Sequence, residues 1–178
     1  MKKLYLLPLL LLFAFLGCKK DDDLPEAVRG GPNMFACKVN GKIFVAQDEV
    51  SLSGRSRAID GGMSTFPGKY GRQKAFILLI RGGGSSFKVY FDSLEGPKLY
   101  LLNQDVIMPE GYYLYPENDY LEFGVDYRTS SKSTGWIDFS VLEKKKNETM
   151  GTFDFNAEDS KGRTVKITDG RFYFQARP

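Results

Sequence analysis

The side chains that most often carry out catalysis are scarce in this sequence. It contains no histidine and only two cysteines, Cys18 and Cys37. Without histidine there is no common general base, no serine-hydrolase triad and no imidazole ligand for a metal. Two thiols are also too few for a thiolate metal cluster. The sequence therefore predicts neither a metal nor another cofactor, and it excludes histidine-dependent catalysis.

Paired carboxylates are the one route to hydrolysis that needs no histidine, because two acidic groups suffice for glycoside cleavage. Three acidic pairs lie close together in the chain: Asp48 with Glu49, Glu117 with Asp119, and Glu122 with Asp126. Acids that neighbour each other on an outward face are more often solvated surface, and no further motif supports these pairs. We therefore predict that the chain is not an enzyme and assign no catalytic residue.

Aromatic side chains are the second group with a possible binding role. Rings on an outward face beside Asp, Asn and Gln suit the faces and hydroxyls of sugars. Strand alternation directs four aromatic residues outward and the sequence GYYLYPENDY places three more in a loop: Trp136, Tyr90, Tyr120, Tyr173, Tyr112, Tyr113 and Tyr115. We predict that they bind a ligand. The alternative is that the middle of the chain covers this face and makes Trp136 a second-layer core residue.

Strands must position these side chains, because apolar residues recur at every second position and no convincing helix follows the N-terminal segment. Tight turns are predicted at Asn40-Gly41, at residues 159–162 and at Asp169-Gly170. The inward-facing sets are Phe35, Cys37 and Val39; Phe87, Val89 and Phe91; Leu121, Phe123, Val125 and Tyr127; Ile137, Phe139 and Val141; Phe153, Phe155 and Ala157; Val165 and Ile167; Phe172 and Phe174. The pattern predicts an all-β fold, an antiparallel β-sandwich with a barrel as the alternative.

The N-terminal residues have the composition of an export signal. Met1, Lys2 and Lys3 precede an apolar run at residues 4–16, which is too short to span a bilayer. We therefore predict a signal peptide at residues 1–17, a flexible charged tether at residues 18–32, and a single β domain at residues 33–178. An inward Cys37 is predicted to be a small, inert core residue.

The end of the signal peptide, FLGC, resembles the bacterial lipobox. Gly17 and Cys18 match the pattern, whereas Phe15 stands where leucine is usual and Leu16 where a smaller residue is commoner. The resemblance implies cleavage after Gly17 and attachment of a lipid to Cys18, so that the membrane is a partner. The alternative is ordinary signal cleavage that leaves a free thiol.

The residues after Cys18 resemble an export signal of Bacteroidota lipoproteins, a lysine followed by acidic residues. It comprises Lys19, Lys20, Asp21, Asp22 and Asp23. The resemblance implies an outer-membrane location that faces the cell surface, with the periplasmic face as the alternative. A generic solvated spacer would have a similar composition. The chain has no clustered basic face, so no nucleic-acid partner is predicted.

Two further stretches carry a family resemblance. VNGKIFVA at residues 39–46 and the segment at residues 135–174 resemble a family of small Bacteroidota lipoproteins known only as a domain of unknown function. Its hallmark GTFxFxA corresponds to residues 151–157 and its ITxGxF to residues 167–172. Both are strand and turn positions, so they imply a fold and no chemistry. Asp92-Ser93-Leu94 resembles the three-residue O-glycosylation signal of the same bacteria, which makes Ser93 a weak candidate.

Three functions are compatible with these observations. The leading one is a surface-anchored β-sandwich module that binds an extracellular glycan or an envelope protein. The second is a structural envelope component with no ligand site. The third is a histidine-free carboxylate hydrolase, which would require two carboxylates that face each other across a cleft.

Overall fold

The computed structural model describes residues 24–51, 54–68, 71–92, 94–105, 120–124 and 127–176. Within these ranges the chain forms β-strands and no helix, which confirms the predicted all-β class. No helix in the described ranges is long and apolar enough to cross a membrane.

Thirteen strands are described. They are β1 (Met34–Val39), β2 (Lys42–Val45), β3 (Glu49–Ser51), β4 (Gly54–Ser56), β5 (Ile59–Gly68), β6 (Gly71–Gly82), β7 (Ser85–Phe91), β8 (Leu99–Leu102), β9 (Tyr120–Phe123), β10 (Tyr127–Arg128), β11 (Gly135–Glu143), β12 (Glu148–Glu158) and β13 (Thr164–Gln175).

Eleven of these strands belong to one antiparallel sheet that curls strongly into a half-barrel. The main path runs β2-β1-β13-β12-β10-β9-β7-β6-β5, and a branch leaves β12 through β11 to β8. Among the described strands, β3 and β4 pair only with each other. One curled sheet therefore provides both layers around the core, an arrangement consistent with the predicted sandwich or barrel.

The concave face of the sheet holds a core built largely from phenylalanine. Phe35 on β1 lies 5.0 Å from Phe87 on β7, and Phe139 on β11 lies 5.7 Å from Phe76 on β6, measured between ring centroids. Neither pair belongs to neighbouring strands, so these rings join opposite sides of the curl. Nearly all of the predicted inward residues in the described ranges are buried in this core or packed against it.

Asn40 and Gly41 form a tight turn between β1 and β2, as predicted. Both have positive φ, at 49° and 79°, which is the geometry that two-residue hairpin loops require. The side chain of Asn40 also accepts a hydrogen bond from the Lys166 N–H at 2.9 Å, and the Asn40 N–H donates to the Lys166 carbonyl at 2.8 Å. The hairpin is thus tied to β13.

The predicted turn at Asp169-Gly170 is wrong, because β13 continues through both residues to Gln175. Asp169 has a positive φ of 56°, and the pairing of β13 with β12 shifts register at this point. The chain therefore contains a β-bulge here. Asp-Gly favours positive φ, which suits a bulge as well as a hairpin turn, so composition alone does not separate the two.

Residues 24–31, which the sequence placed in the tether, contact the domain. Leu24 is buried. Arg29 donates from Nε to Oε1 of Glu148 at 3.1 Å and from Nη2 to Oε2 at 3.2 Å. The hydroxyl of Tyr173 donates to the same Glu148 at 3.2 Å. A bidentate ion pair with a buried carboxylate fixes this segment against one end of β12 and β13.

We expect the contact of residues 24–31 with the domain to weaken in acid. The Arg29 hydrogen bond and charge lower the pKa of Glu148. A carboxylate with a lowered folded pKa contributes stability that is complete above its ordinary value of about 4.3 and is lost as the pH falls through the folded value. The protection factors of residues 24–32, which are exchange rates corrected for the intrinsic effect of pH, should therefore fall below that pH. In Arg29→Gln the protection factors should be low at neutral pH and should not change in acid, and a segment equally protected at every pH would contradict this account.

Candidate functional site

Trp136 lies on the convex face of the sheet, where alternation predicted it. Its neighbours on β11, Ile137 and Phe139, are fully buried in the core, whereas Trp136 is half-buried. Leu101 of β8 is its register partner on one side and Asp154 of β12 on the other. Trp136 thus lies between an apolar and an acidic residue in the sheet register.

Around Trp136 the convex face forms an open cleft of about 520 Å³ that crosses four strands. Apolar surface comes from the indole and from Leu101 on the edge strand β8. The polar side chains that line the cleft are Asn103, Thr134, Asp154, Asn156, Lys166 and Thr168. This set combines a flat ring with amide, hydroxyl, carboxylate and ammonium groups, which is a composition suited to a polyhydroxylated ligand.

Asp154 is the acidic group closest to Trp136 along the sheet register. Partial burial raises its pKa, and the Asp169 charge adds to this effect, although the Asp169 N–H donates to Oδ1 of Asp154 at 2.8 Å. Asp169 is itself paired with Lys38 at 3.0 Å, and this hydrogen bond lowers the pKa of Asp169. Both carboxylates therefore already have partners within the sheet.

Three of the predicted tyrosines point to the convex side but are not exposed. Tyr90 and Tyr120 are each 1% exposed and Tyr173 is 0% exposed, so the prediction that they form a solvent-facing platform is wrong. Tyr90 and Tyr120 stack at 5.4 Å beside Ala75, separate from the main core. Alternation fixes the side of the sheet to which a residue points, and it does not indicate whether that side is covered.

The remaining predicted site residues lie outside the described residues. They are Tyr112, Tyr113 and Tyr115 of the loop, Cys18 with Lys19, Lys20, Asp21, Asp22 and Asp23, the glycosylation candidate Ser93, and the acidic residues Glu117, Asp119 and Asp126. Their assignments stay predictions.

Two members of the acidic pairs, Glu122 and Asp48, are engaged in local structure. Glu122 forms an ion pair with Arg128 at 2.7 Å, and Asp48 accepts the Ala58 N–H at 2.7 Å. In a second cleft of about 400 Å³, lined by Arg128 and Asp159 among others, Asp159 is bound by Arg163 at 2.6 Å. In the described part of the chain, no group of three His, Cys, Asp or Glu residues could hold a metal ion.

Cys37 is a core residue, as predicted. Its side chain is fully buried, and burial raises the pKa of the thiol to about 12. A thiol that stays protonated and inaccessible is a poor nucleophile. The prediction that Cys37 is inert is therefore consistent with its environment.

Most of the cleft residues were not predicted from the sequence. Asn103, Asn156, Lys166 and Thr168 come from three segments that alternation could not place beside Trp136. The one available signal was the outward position of Asn156 and Lys166 in a regular hairpin, since such residues pair directly across the strands. The position of Asn103 beside Trp136 could be predicted only from the strand order, because it depends on the pairing of β8 with β11.

Comparisons with protein-family models, with curated proteins and with solved structures found no match. The likeness to Bacteroidota lipoproteins therefore depends on the sequence motifs alone. The basis for assigning a function is the geometry of the cleft together with the N-terminal sequence.

Proposed function

We propose that this chain is a membrane-anchored, non-enzymatic module that binds an extracellular glycan on its convex face around Trp136. The observation that carries the proposal is a half-buried indole in an open cleft lined by hydrogen-bonding side chains of β12 and β13, together with Asn103 and Thr134. An envelope protein is the alternative ligand for the same face.

The two kinds of surface in the cleft would contact different parts of a sugar. The indole face of Trp136 suits the C–H-rich side of a pyranose ring. Asn156 and Lys166, which are register partners on β12 and β13, offer donors to hydroxyls, and Asp154 offers an acceptor. This division between one apolar and several polar contacts is typical of ligand sites.

The anchor in this proposal is a lipid on Cys18, in the outer membrane and facing the cell surface. Because Leu24 is already buried, only residues 19–23 separate the domain from Cys18. At 3.3–3.6 Å per residue the domain would lie within about 20 Å of the bilayer. Multiple acyl chains give stable attachment.

The glycan proposal is tested by tryptophan fluorescence, because the chain has a single tryptophan. The chain from Cys18 onward is titrated with a panel of host and dietary polysaccharides. We expect a saturable change in emission with at least one of them. An emission typical of a buried indole that no polysaccharide changes would contradict the proposal.

The anchor is tested separately in cells with Cys18→Ala. Mass spectrometry of the parent protein should find an acylated N-terminal Cys18, and the variant should leave the membrane fraction. An unmodified Cys18 in the parent would contradict the anchor and leave the cleft proposal unaffected.

Burial of the three tyrosines favours a second candidate function, a structural envelope component. Without Tyr90, Tyr120 and Tyr173, Trp136 is the one member of the predicted aromatic set, within the described residues, that lines the open cleft. A cleft that binds no polysaccharide, in a protein whose loss weakens the envelope, would favour this function. A carboxylate hydrolase is the third.

A further inference from the structure

Strand β8 is the end of the sheet branch that carries Trp136. It pairs with β11 along one edge, and no described strand pairs with its other edge. Free strand edges are templates for pairing with another chain, and proteins usually protect them with charges, proline or bulges. Whether β8 is protected in this way depends on its register, its side chains and the turn that precedes it.

The register of β8 identifies which backbone groups point away from β11. The Phe139 N–H donates to the Lys98 carbonyl at 3.2 Å, and Leu99 and Leu101 are opposite Asp138 and Trp136. In an antiparallel ladder this alternation makes Leu99 and Leu101 non-hydrogen-bonded positions. Their N–H and C=O groups therefore point to the free edge.

The side chains of the same two residues are apolar and exposed. Leu99 is 54% exposed and Leu101 is 65% exposed. They lie on the convex face, and Leu101 is part of the cleft around Trp136. Two neighbouring leucines on a free edge leave it without the charged side chains that usually prevent pairing.

Strand β8 is also held in place by the turn that precedes it. The Tyr100 hydroxyl accepts hydrogen bonds from the N–H groups of Glu95 and Gly96 at 3.0 and 3.3 Å. Lys98, which immediately precedes the strand, is paired with Glu95 and lies over the Tyr100 ring at 5.0 Å. A preformed strand has little entropy to lose when it pairs, and the lysine before it is engaged by Glu95.

We propose that the free edge of β8 pairs with β8 of a second copy of this chain. In an antiparallel pairing about a two-fold axis at Tyr100, Leu99 of one copy is opposite Leu101 of the other. Leu99 and Leu101 of each copy then form backbone hydrogen bonds with Leu101 and Leu99 of the other through their outward N–H and C=O groups. The side chains of these four leucines form one apolar patch between the two clefts. This self-complementarity is what a two-fold interface requires.

The contact is small, since each copy contributes four strand residues. We therefore expect weak association of the free domain and stronger association when copies share a surface, because confinement raises the effective concentration. The pairing itself depends on neither the anchor nor a ligand, so it is tested on the free domain, apart from the proposed function.

The experiment is sedimentation equilibrium of the chain from Cys18 onward over a wide concentration range, with Cys18→Ser to prevent disulfide dimers. We expect a reversible monomer–dimer equilibrium. Leu99→Lys should shift it toward monomer by at least tenfold in Kd. Leu101→Pro should do the same, because the proline removes an outward N–H that β11 does not use.

The matched control is Val50→Lys, which places the same charge at another exposed apolar strand residue, on β3. It should leave the equilibrium unchanged. A parent chain that is monomeric at every concentration would overturn the proposal. Dimerisation that survives both Leu99→Lys and Leu101→Pro, each folded by circular dichroism, would overturn it as well.

Discussion

Gly151→Ala is expected to destabilise the domain by about 3 kcal/mol, the upper range for overpacking a core. A Cβ at this position would lie 2.1 Å from the backbone carbonyl oxygen of Asp138 and 3.0 Å from the Phe172 ring. Asp138 belongs to β11, which is paired on both sides, so its carbonyl cannot move without disrupting the sheet. The methyl group has no space.

Urea unfolding of three alanine variants measures this effect. Gly170→Ala should cost less than Gly151→Ala, because its Cβ would meet the side-chain ring of Phe153 at 2.4 Å rather than backbone. Gly96→Ala is the control, since no atom lies within 4 Å of its added Cβ. It should change stability by less than about 0.5 kcal/mol. Equal midpoints for Gly151→Ala and Gly96→Ala would contradict the steric account.

These two glycines belong to the sequence motifs at residues 151–157 and 167–172 and have a physical explanation. Gly151 pairs with Phe172 across the ladder, and Phe153 pairs with Gly170. Each ring lies over the glycine on the opposite strand, so glycine and phenylalanine alternate on β12 and β13. The sequence indicated strands at these positions, but the reason for each glycine is a contact between strands that periodicity cannot reveal.

Alternation predicted the facing of individual residues well and their burial less well. Phe153 and Phe155 lie in the core and Trp136 lies on the convex face, because a strand has a period of two. Tyr173 also faces outward, yet it is buried and hydrogen-bonded to Glu148. Whether an outward face is covered depends on the path of distant segments.

The N-terminal segment illustrates the same limit. Its charges and prolines favour a solvated tether, yet Arg29 forms an ion pair with Glu148, which is 119 residues away. Glu148 looks like a surface residue in the sequence KKKNETM. Only the fold brings the two charges together, and no local pattern reports a partner at such a separation.

Trp136→Ala is expected to weaken polysaccharide binding by about thirtyfold or more, which corresponds to the 2 kcal/mol typical of a central aromatic contact. The indole supplies the flat apolar surface of the cleft, beside Leu101. The domain should stay folded, because Trp136 is half-buried on the convex face and is not part of the phenylalanine core. Isothermal titration calorimetry measures binding after the fluorophore has been removed.

Asp138→Ala is the matched control for Trp136→Ala. Asp138 is two residues further along β11, on the same face, exposed, and not among the residues that line the cleft. It should bind as the parent does. If Asp138→Ala and Trp136→Ala lost the same affinity, the ligand would lie elsewhere on the convex face, and the cleft would not be the site.

The pH dependence of binding separates the roles of Trp136 and Asp154. Partial burial raises the pKa of Asp154, so this carboxyl takes up a proton above the ordinary aspartate value of about 3.9. A protonated carboxyl is a weaker acceptor for a sugar hydroxyl, so affinity should fall as the pH drops through the raised value.

In Asp154→Asn the affinity should be lower at neutral pH and should no longer change in that range. A parent whose affinity is independent of pH would show that Asp154 does not contact the ligand and would leave stacking on Trp136 as the main interaction.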